Sequence, residues 1–358
     1  MIRVLIVDDM LTIRMALRFI LESDAELTVM GEAGSGEEAV DFCKKSRPDI
    51  ITMDINMPGM GGYEAIRQIM SAAPCPIVVI TGIESQYLME VSFKALELGA
   101  LTVLPTPRGL SADNSDAATL IHQIKTMAAV KVVRRSLRMP TGAATPDKVG
   151  GQAAASAKSG VSSQLKKVPQ LVAVGLSTGG PPALQTVLNG LKQDFPVPIV
   201  IVQHISQGFI FGLASWLSKT TPFRCKVGEN GEIIKPGIVY LAPDNTHMTI
   251  MGNGELRLDD TSEPHSGHRP SANVLFESIA RNFGDKAIGI LLTGMGQDGA
   301  SGLKAMHQAG AYTIAQDEES SVIFSMPKAA IDLNAVEEVL PLGDVAPRLR
   351  NLTERVSR

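Results

Sequence analysis

Three aspartates stand where apolar runs end. Asp8 and Asp9 follow Ile2-Arg3-Val4-Leu5-Ile6-Val7, and Asp54 follows Ile50-Ile51-Thr52-Met53. In an open α/β sheet, groups at the carboxyl ends of strands gather near the point where the strand order reverses. Carboxylates gathered there repel one another unless a cation sits among them, and oxygen ligands in a partly hydrated pocket suit Mg²⁺. A carboxylate beside that cation and a phosphate donor can act as a nucleophile and become an aspartyl phosphate. Thr81, at the end of a later apolar run, can donate a hydrogen bond to phosphoryl oxygens. The alternative is that these acids are simply solvated strand ends.

A second group surrounds Ser177. The run Leu171-Val172-Ala173-Val174 leads into Gly175-Leu176-Ser177-Thr178-Gly179-Gly180 and then Pro181-Pro182. A strand, a tight turn and a helix expose the serine hydroxyl and aim helix N-terminal amides at it, as in a G-x-S-x-G nucleophile elbow. The same turn suits a phosphate or dinucleotide, although no GK[ST] follows. A serine nucleophile needs a base and a group that orients the base. His204 ends the next apolar run, and Asp298 lies in the loop Thr293-Gly294-Met295-Gly296-Gln297-Asp298-Gly299 after a later one. Each has a plainer reading, His204 as a structural histidine and Asp298 as a turn residue. His247, His265 and His268 are further base candidates, and His265-x-x-His268 invites a zinc reading that finds no third ligand.

The elements that must position these residues follow from periodicity. Strands are expected at 2–7, 27–31, 49–53, 76–80 and 101–104, with helices between, for example 12–22, where Ile13, Leu17, Ile20 and Leu21 recur at helical spacing. Five strands alternating with helices imply a parallel sheet covered on both faces. Residues 139–168 are rich in Ala, Gly, Ser, Lys and Thr and cannot bury enough surface to fold, so they read as a linker. A second α/β pattern follows, with strands expected at 171–174, 198–203, 238–242, 247–251, 255–258, 287–293 and 311–315 and a hairpin around Gly252-Asn253-Gly254. The 358 residues suit two domains. A net charge of −4 gives no sign of a nucleic-acid partner. No apolar run is long enough for membrane insertion. Three widely spaced cysteines read as reduced thiols of a cytoplasmic protein.

Residues 1–125 resemble a response-regulator receiver domain, through Val7-Asp8-Asp9, Met53-Asp54 with Met57-Pro58-Gly59-Met60, Thr81, and Leu98-Gly99-Ala100. The resemblance implies a flavodoxin-like sheet, Asp54 as phosphoacceptor, Asp8, Asp9 and Asp54 around Mg²⁺, Thr81 as the phosphoryl-sensing residue and a histidine kinase as donor. It also implies a lysine before a proline at the end of the fifth strand, where this chain has Thr106, and an aromatic residue where it has Val103. A hydroxyl does not replace a partly desolvated ion pair, so phosphorylation is expected to survive while its transmission is weakened or rewired.

Residues 169–350 are similar to the catalytic domain of the CheB family of chemotaxis protein-glutamate methylesterases. The matching segments are Gly175 to Gly180, Val202-Gln203-His204, His247-Met248, His268-Arg269-Pro270-Ser271 and Leu292 to Ala300. This implies a doubly wound α/β hydrolase domain with a β-hairpin, joined to the receiver by a linker at 126–168. It implies a Ser177, His204 and Asp298 triad, Thr178 and Met295 near the oxyanion, and no cofactor in the hydrolase half. The implied activity is demethylation of glutamate methyl esters and deamidation of glutamines on chemoreceptors. The unphosphorylated receiver would cover the Ser177 cleft. Two alternatives share the motifs: the same chemistry in a non-chemotactic array, and a silent docking module.

Overall fold

The structure is a computed structural model and describes residues 1–82, 85–107, 115–130, 132 and 167–354, with only the backbone of 85–91, 115 and 354. The expected linker lies almost wholly outside the described residues.

The first body runs β1 (Ile2–Val7), α1 (Leu11–Glu22), β2 (Leu27–Ala33), α2 (Gly36–Lys45), β3 (Ile50–Met53), α3 (Gly62–Ala72), β4 (Ile77–Thr81), α4 (Ser85–Leu98), β5 (Thr102–Pro105) and α5 (Ser115–Ala128). Every strand pairing is parallel, in the order β2-β1-β3-β4-β5. β3 and β4 are buried along their whole length, as continuous apolar runs between two helical layers must be. The helices carry local signals of their own. At α2, Ser35 accepts from the Glu38 N–H, Glu37 and Glu38 lie in the first turn, and Lys44 and Lys45 close the last. That arrangement complements the helix dipole at both ends. α5 continues to Ala128, so its last turn passes the boundary expected at 125.

The second body runs β6 (Leu171–Leu176), α6 (Gly180–Asn189), β7 (Ile199–Gln203), α7 (Ile210–Thr220), β8 (Arg224–Val227), β9 (Ile238–Leu241), β10 (His247–Ile250), β11 (Leu256–Asp259), α8 (Ala272–Phe283), β12 (Ala287–Leu291), α9 (Ala300–Gln308), β13 (Tyr312–Gln316), α10 (Ser325–Asp332), β14 (Glu338–Leu340) and α11 (Leu342–Glu354). Seven strands form one parallel sheet, β14-β13-β12-β6-β7-β9-β8. β10 and β11 form the expected antiparallel hairpin, with Gly254 at φ +82° in its turn. Two strands escaped the sequence reading, β8 and β14, both at sheet edges. α11 also extends beyond residue 350.

Strand order reverses beside the first strand of each sheet, and in the second it turns back again where β9 inserts between β7 and β8. In the first, β1 and β3 flank the reversal; in the second, β6 and β12 do. Loops leaving those strands diverge to opposite sides and open a crevice at the carboxyl edge. Asp8, Asp9 and Asp54 leave the first pair, and Ser177 and Asp298 leave the second.

Candidate functional site

In the first crevice, Asp8, Asp9 and Asp54 each place a ligand atom within 4.8 Å of the other two. Asp8 is buried, and its Oδ1 accepts the Met10 N–H at 2.8 Å. Burial, aided by the charges of Asp54 and Asp9, pushes its pKa up to about 6, against the pull of that N–H. Burial and Asp9 likewise raise Asp54, although the Ile55 N–H donates to its Oδ1 at 2.8 Å. Converging carboxylates that resist ionisation are the donor set expected for a hard divalent cation, so the residues fit Mg²⁺. Thr81, buried, ends β4 beside β3. The Thr106 N–H donates to the Thr81 carbonyl at 3.1 Å, which places a hydroxyl residue at the end of β5 next to Thr81.

In the second crevice, the Ser177 N–H donates to the Thr293 carbonyl at 3.1 Å and fastens the nucleophile turn to the loop after β12. Gly179 takes φ +77°, and a Cβ there would lie 2.6 Å from that of Val322. A side chain at this position would be both strained and crowded. His204 follows β7, its N–H donating to the Leu176 carbonyl at 3.0 Å, so the base and nucleophile turns start in register.

The His204 Nε2 lies 2.9 Å from the Asp298 Oδ2. Its Nδ1 is buried and has no hydrogen-bond partner among the described residues. The His204 ring stacks on His268, with centroids 4.1 Å apart and planes 5° from parallel. Burial and the neighbouring His204 lower the pKa of His268, Asp298 opposing them, so the stacked partner favours its neutral form.

Asp298 is 2% exposed. It accepts the Ser271 hydroxyl at 2.6 Å and the N–H groups of Ala272 and Asn273 at 2.6 and 3.2 Å, at the start of α8. Burial alone would raise its pKa. The hydrogen bonds from His204, Ser271 and Ala272 outweigh burial and hold it below the ordinary value, so it remains a carboxylate.

Ser177, Thr178 and His204 line a cavity of about 270 Å³ whose other wall comes from the first body, including Phe93, Leu96 and Val103. Phe93 of α4 stacks on Trp216 of α7, with centroids 5.2 Å apart. The Gln185 Nε2 of α6 donates to Glu97 of α4 at 3.1 Å. Met295 lines a neighbouring cavity of about 770 Å³ with Val322 and Val130.

The other histidines lie elsewhere. His247 is buried at the start of β10, its Nε2 3.1 Å from the Glu263 carbonyl. His265 is exposed, and its backbone pairs with that of His268. The acidic trio is the only candidate metal cluster among the described residues. Two participants were quoted in sequence motifs without a role, Ser271 and Gln203. Phe93 and Trp216 carried no sequence signal, because their pairing joins distant segments.

A receiver-type sheet with an acidic crevice, joined to a second α/β body with a serine at its own crevice, defines a two-part response regulator. The CheB methylesterase family model matches residues 172–349, and the response regulator receiver domain model matches residues 4–111. The chain is 43% identical over 354 residues to a protein of Nitrosospira multiformis, covering 98% of this chain and 97% of the relative. It is also 43% identical over 359 residues to one of Syntrophus aciditrophicus, covering both in full. Both carry the name protein-glutamate methylesterase/protein-glutamine glutaminase. The crystal structure of the Thermotoga maritima CheB methylesterase catalytic domain superposes with a TM-score of 0.50 at 36% identity, covering 52% of this chain and all of that one. The chain belongs to the CheB methylesterase family.

Proposed function

We propose that the chain demethylates glutamate γ-methyl esters, and deamidates glutamines, on chemoreceptors, under control of phosphorylation at Asp54. The observation that carries this reading is the contact of His204 with the buried carboxylate of Asp298 beside the cavity that holds Ser177. The names of the full-length relatives support the substrate.

In this reading His204 Nδ1 takes the Ser177 proton as the oxygen attacks the ester carbonyl. Backbone N–H groups around Thr178 and Met295 stabilise the oxyanion, each worth about 3 kcal/mol. The proton passes to the leaving methoxide as the C–O bond breaks, or to the amide nitrogen of a glutamine as the C–N bond breaks, and methanol or ammonia departs. Water, deprotonated by His204, then cleaves the acyl-serine. Asp298 fixes the imidazole tautomer and stabilises the imidazolium.

Asp54 attacks the phosphorus of a phosphohistidine on a histidine kinase, so that a P–O bond forms as the P–N bond breaks. Asp8, Asp9 and Asp54 would hold Mg²⁺, which neutralises charge on the incoming group, and Thr81 would hydrogen-bond the phosphoryl oxygens. Receiver, linker and methylesterase domain follow one another in the cytoplasm, the receiver expected at 1–125 taking in the last turn of α5 to Ala128 and the methylesterase domain expected at 169–350 taking in α11 to Glu354. The receiver wall over the Ser177 cavity restrains the unphosphorylated enzyme.

Ser177→Ala tests the assignment. Methanol release should fall by about 10⁴-fold or more, while phosphorylation of Asp54 by a small acyl phosphate proceeds as before. Esterase activity retained in this variant removes Ser177 from the nucleophile role.

A further inference from the structure

Gln203 ends β7 and is 2% exposed. Its Nε2 donates to the Ser177 carbonyl at 2.8 Å and to the His204 carbonyl at 2.7 Å. Two carbonyl oxygens around one atom fix the amide's orientation, because only the nitrogen can face them. The Ser177 carbonyl also accepts the Gly180 N–H at 2.8 Å, so two donors pin it into the protein. In a trans peptide the carbonyl of one residue and the N–H of the next point in opposite directions. Pinning Ser177 C=O on the buried side therefore turns Thr178 N–H to the open side, toward the cavity that Ser177 and Thr178 line. Among the described residues no hydrogen bond occupies that N–H.

The Gln203 Oε1 is buried without a donor among the described residues. A Cβ on Gly180 would lie 2.1 Å from it, so Gly180 leaves the space that Gln203 fills. An orphaned buried acceptor destabilises the fold. A side chain kept at that cost, with both donor bonds spent on the nucleophile and base turns, has a use beyond packing.

We infer that Gln203 is a positioning residue of the oxyanion site: it locks the Ser177–Thr178 peptide so that the Thr178 N–H faces the developing oxyanion, and it ties the serine and histidine turns together. This rests on Ser177 as nucleophile, and the experiment separates the two claims. A fluorophosphonate needs no receptor and places a phosphoryl oxygen where the oxyanion would lie. Its second-order rate of labelling Ser177 is measured by mass spectrometry on the full chain with acetyl phosphate and Mg²⁺, for wild type and Gln203→Met, alongside melting temperature. Labelling should slow about ten- to a hundred-fold, somewhat less than deletion of an oxyanion donor, while melting changes little, the two lost donor bonds being offset by removal of the orphaned acceptor. A purely structural role gives the opposite, earlier melting with labelling unchanged. A wild-type rate in Gln203→Met overturns the role of Gln203 alone; an unreactive Ser177 in the wild type overturns the nucleophile and this role with it. If Gln203→Met melts early, Gln203→Glu decides. Its ionised carboxylate repels both carbonyls, whereas its protonated form can donate once, so its rate relative to wild type should rise as pH falls. A ratio independent of pH overturns the proposal.

Discussion

A carboxylate that solvent does not reach must be bonded to donors or take up a proton. Asp298 has donors from three directions: His204, the Ser271 hydroxyl and the first amides of α8. Its folded pKa is depressed, so the stabilisation it gives is present above its unfolded value of 3.8 and is lost as pH falls through the folded value. Asp298→Asn sets an amide N–H₂ against some of these donors and leaves the imidazole tautomer unfixed. Its kcat should drop by about 10⁴-fold with KM little changed, and a loss under ten-fold contradicts the triad. Ser177, His204 and Asp298 were legible in the sequence because each leaves an apolar run at a matching place. What held Asp298 was not, since backbone N–H groups leave no side-chain signature. Gln203 was equally silent: a glutamine in a motif does not say which carbonyls it binds.

At the scale of elements, both crevices come from one rule, with chemistry gathered where parallel sheets reverse. The sequence made that visible because buried parallel strands are continuous apolar runs. The edge strands were missed for the same reason. β8 (Arg224-Cys225-Lys226-Val227) and β14 (Glu338-Val339-Leu340) are short and partly exposed, so polar residues interrupt the apolar pattern. The end of β1 carries a pH prediction. With Asp8 at about 6 in the fold and 3.8 as its ordinary value, the proton is favoured by folding, and the crevice grows costlier as pH rises between those values. Above about 6 the carboxylate is free to take a cation. Mg²⁺ should therefore raise the receiver's melting temperature at pH 7.5 and much less at pH 5, read by calorimetry. An equal shift at both pH values contradicts Asp8 as a ligand.

The whole molecule brings α4 and β5 of the first body over the cavity of the second, with Phe93 on Trp216 and Glu97 bonded to Gln185. Neither domain's sequence announces the other's surface, so this face was expected only from the family resemblance. Thr106 and Val103 stand where that resemblance leads one to expect a lysine and an aromatic residue. An aromatic pair contributes about 0.5–1.5 kcal/mol beyond its buried area, so Trp216→Ala should raise the unphosphorylated rate about two- to ten-fold. The most direct measurement of the whole account is methanol release from a methylated receptor fragment by the full chain, with and without acetyl phosphate and Mg²⁺, for wild type and Trp216→Ala. Restraint by the receiver gives a low wild-type rate that rises on phosphorylation and a variant already raised without it. No methanol release in either state contradicts the esterase, and equal rates throughout contradict the restraint.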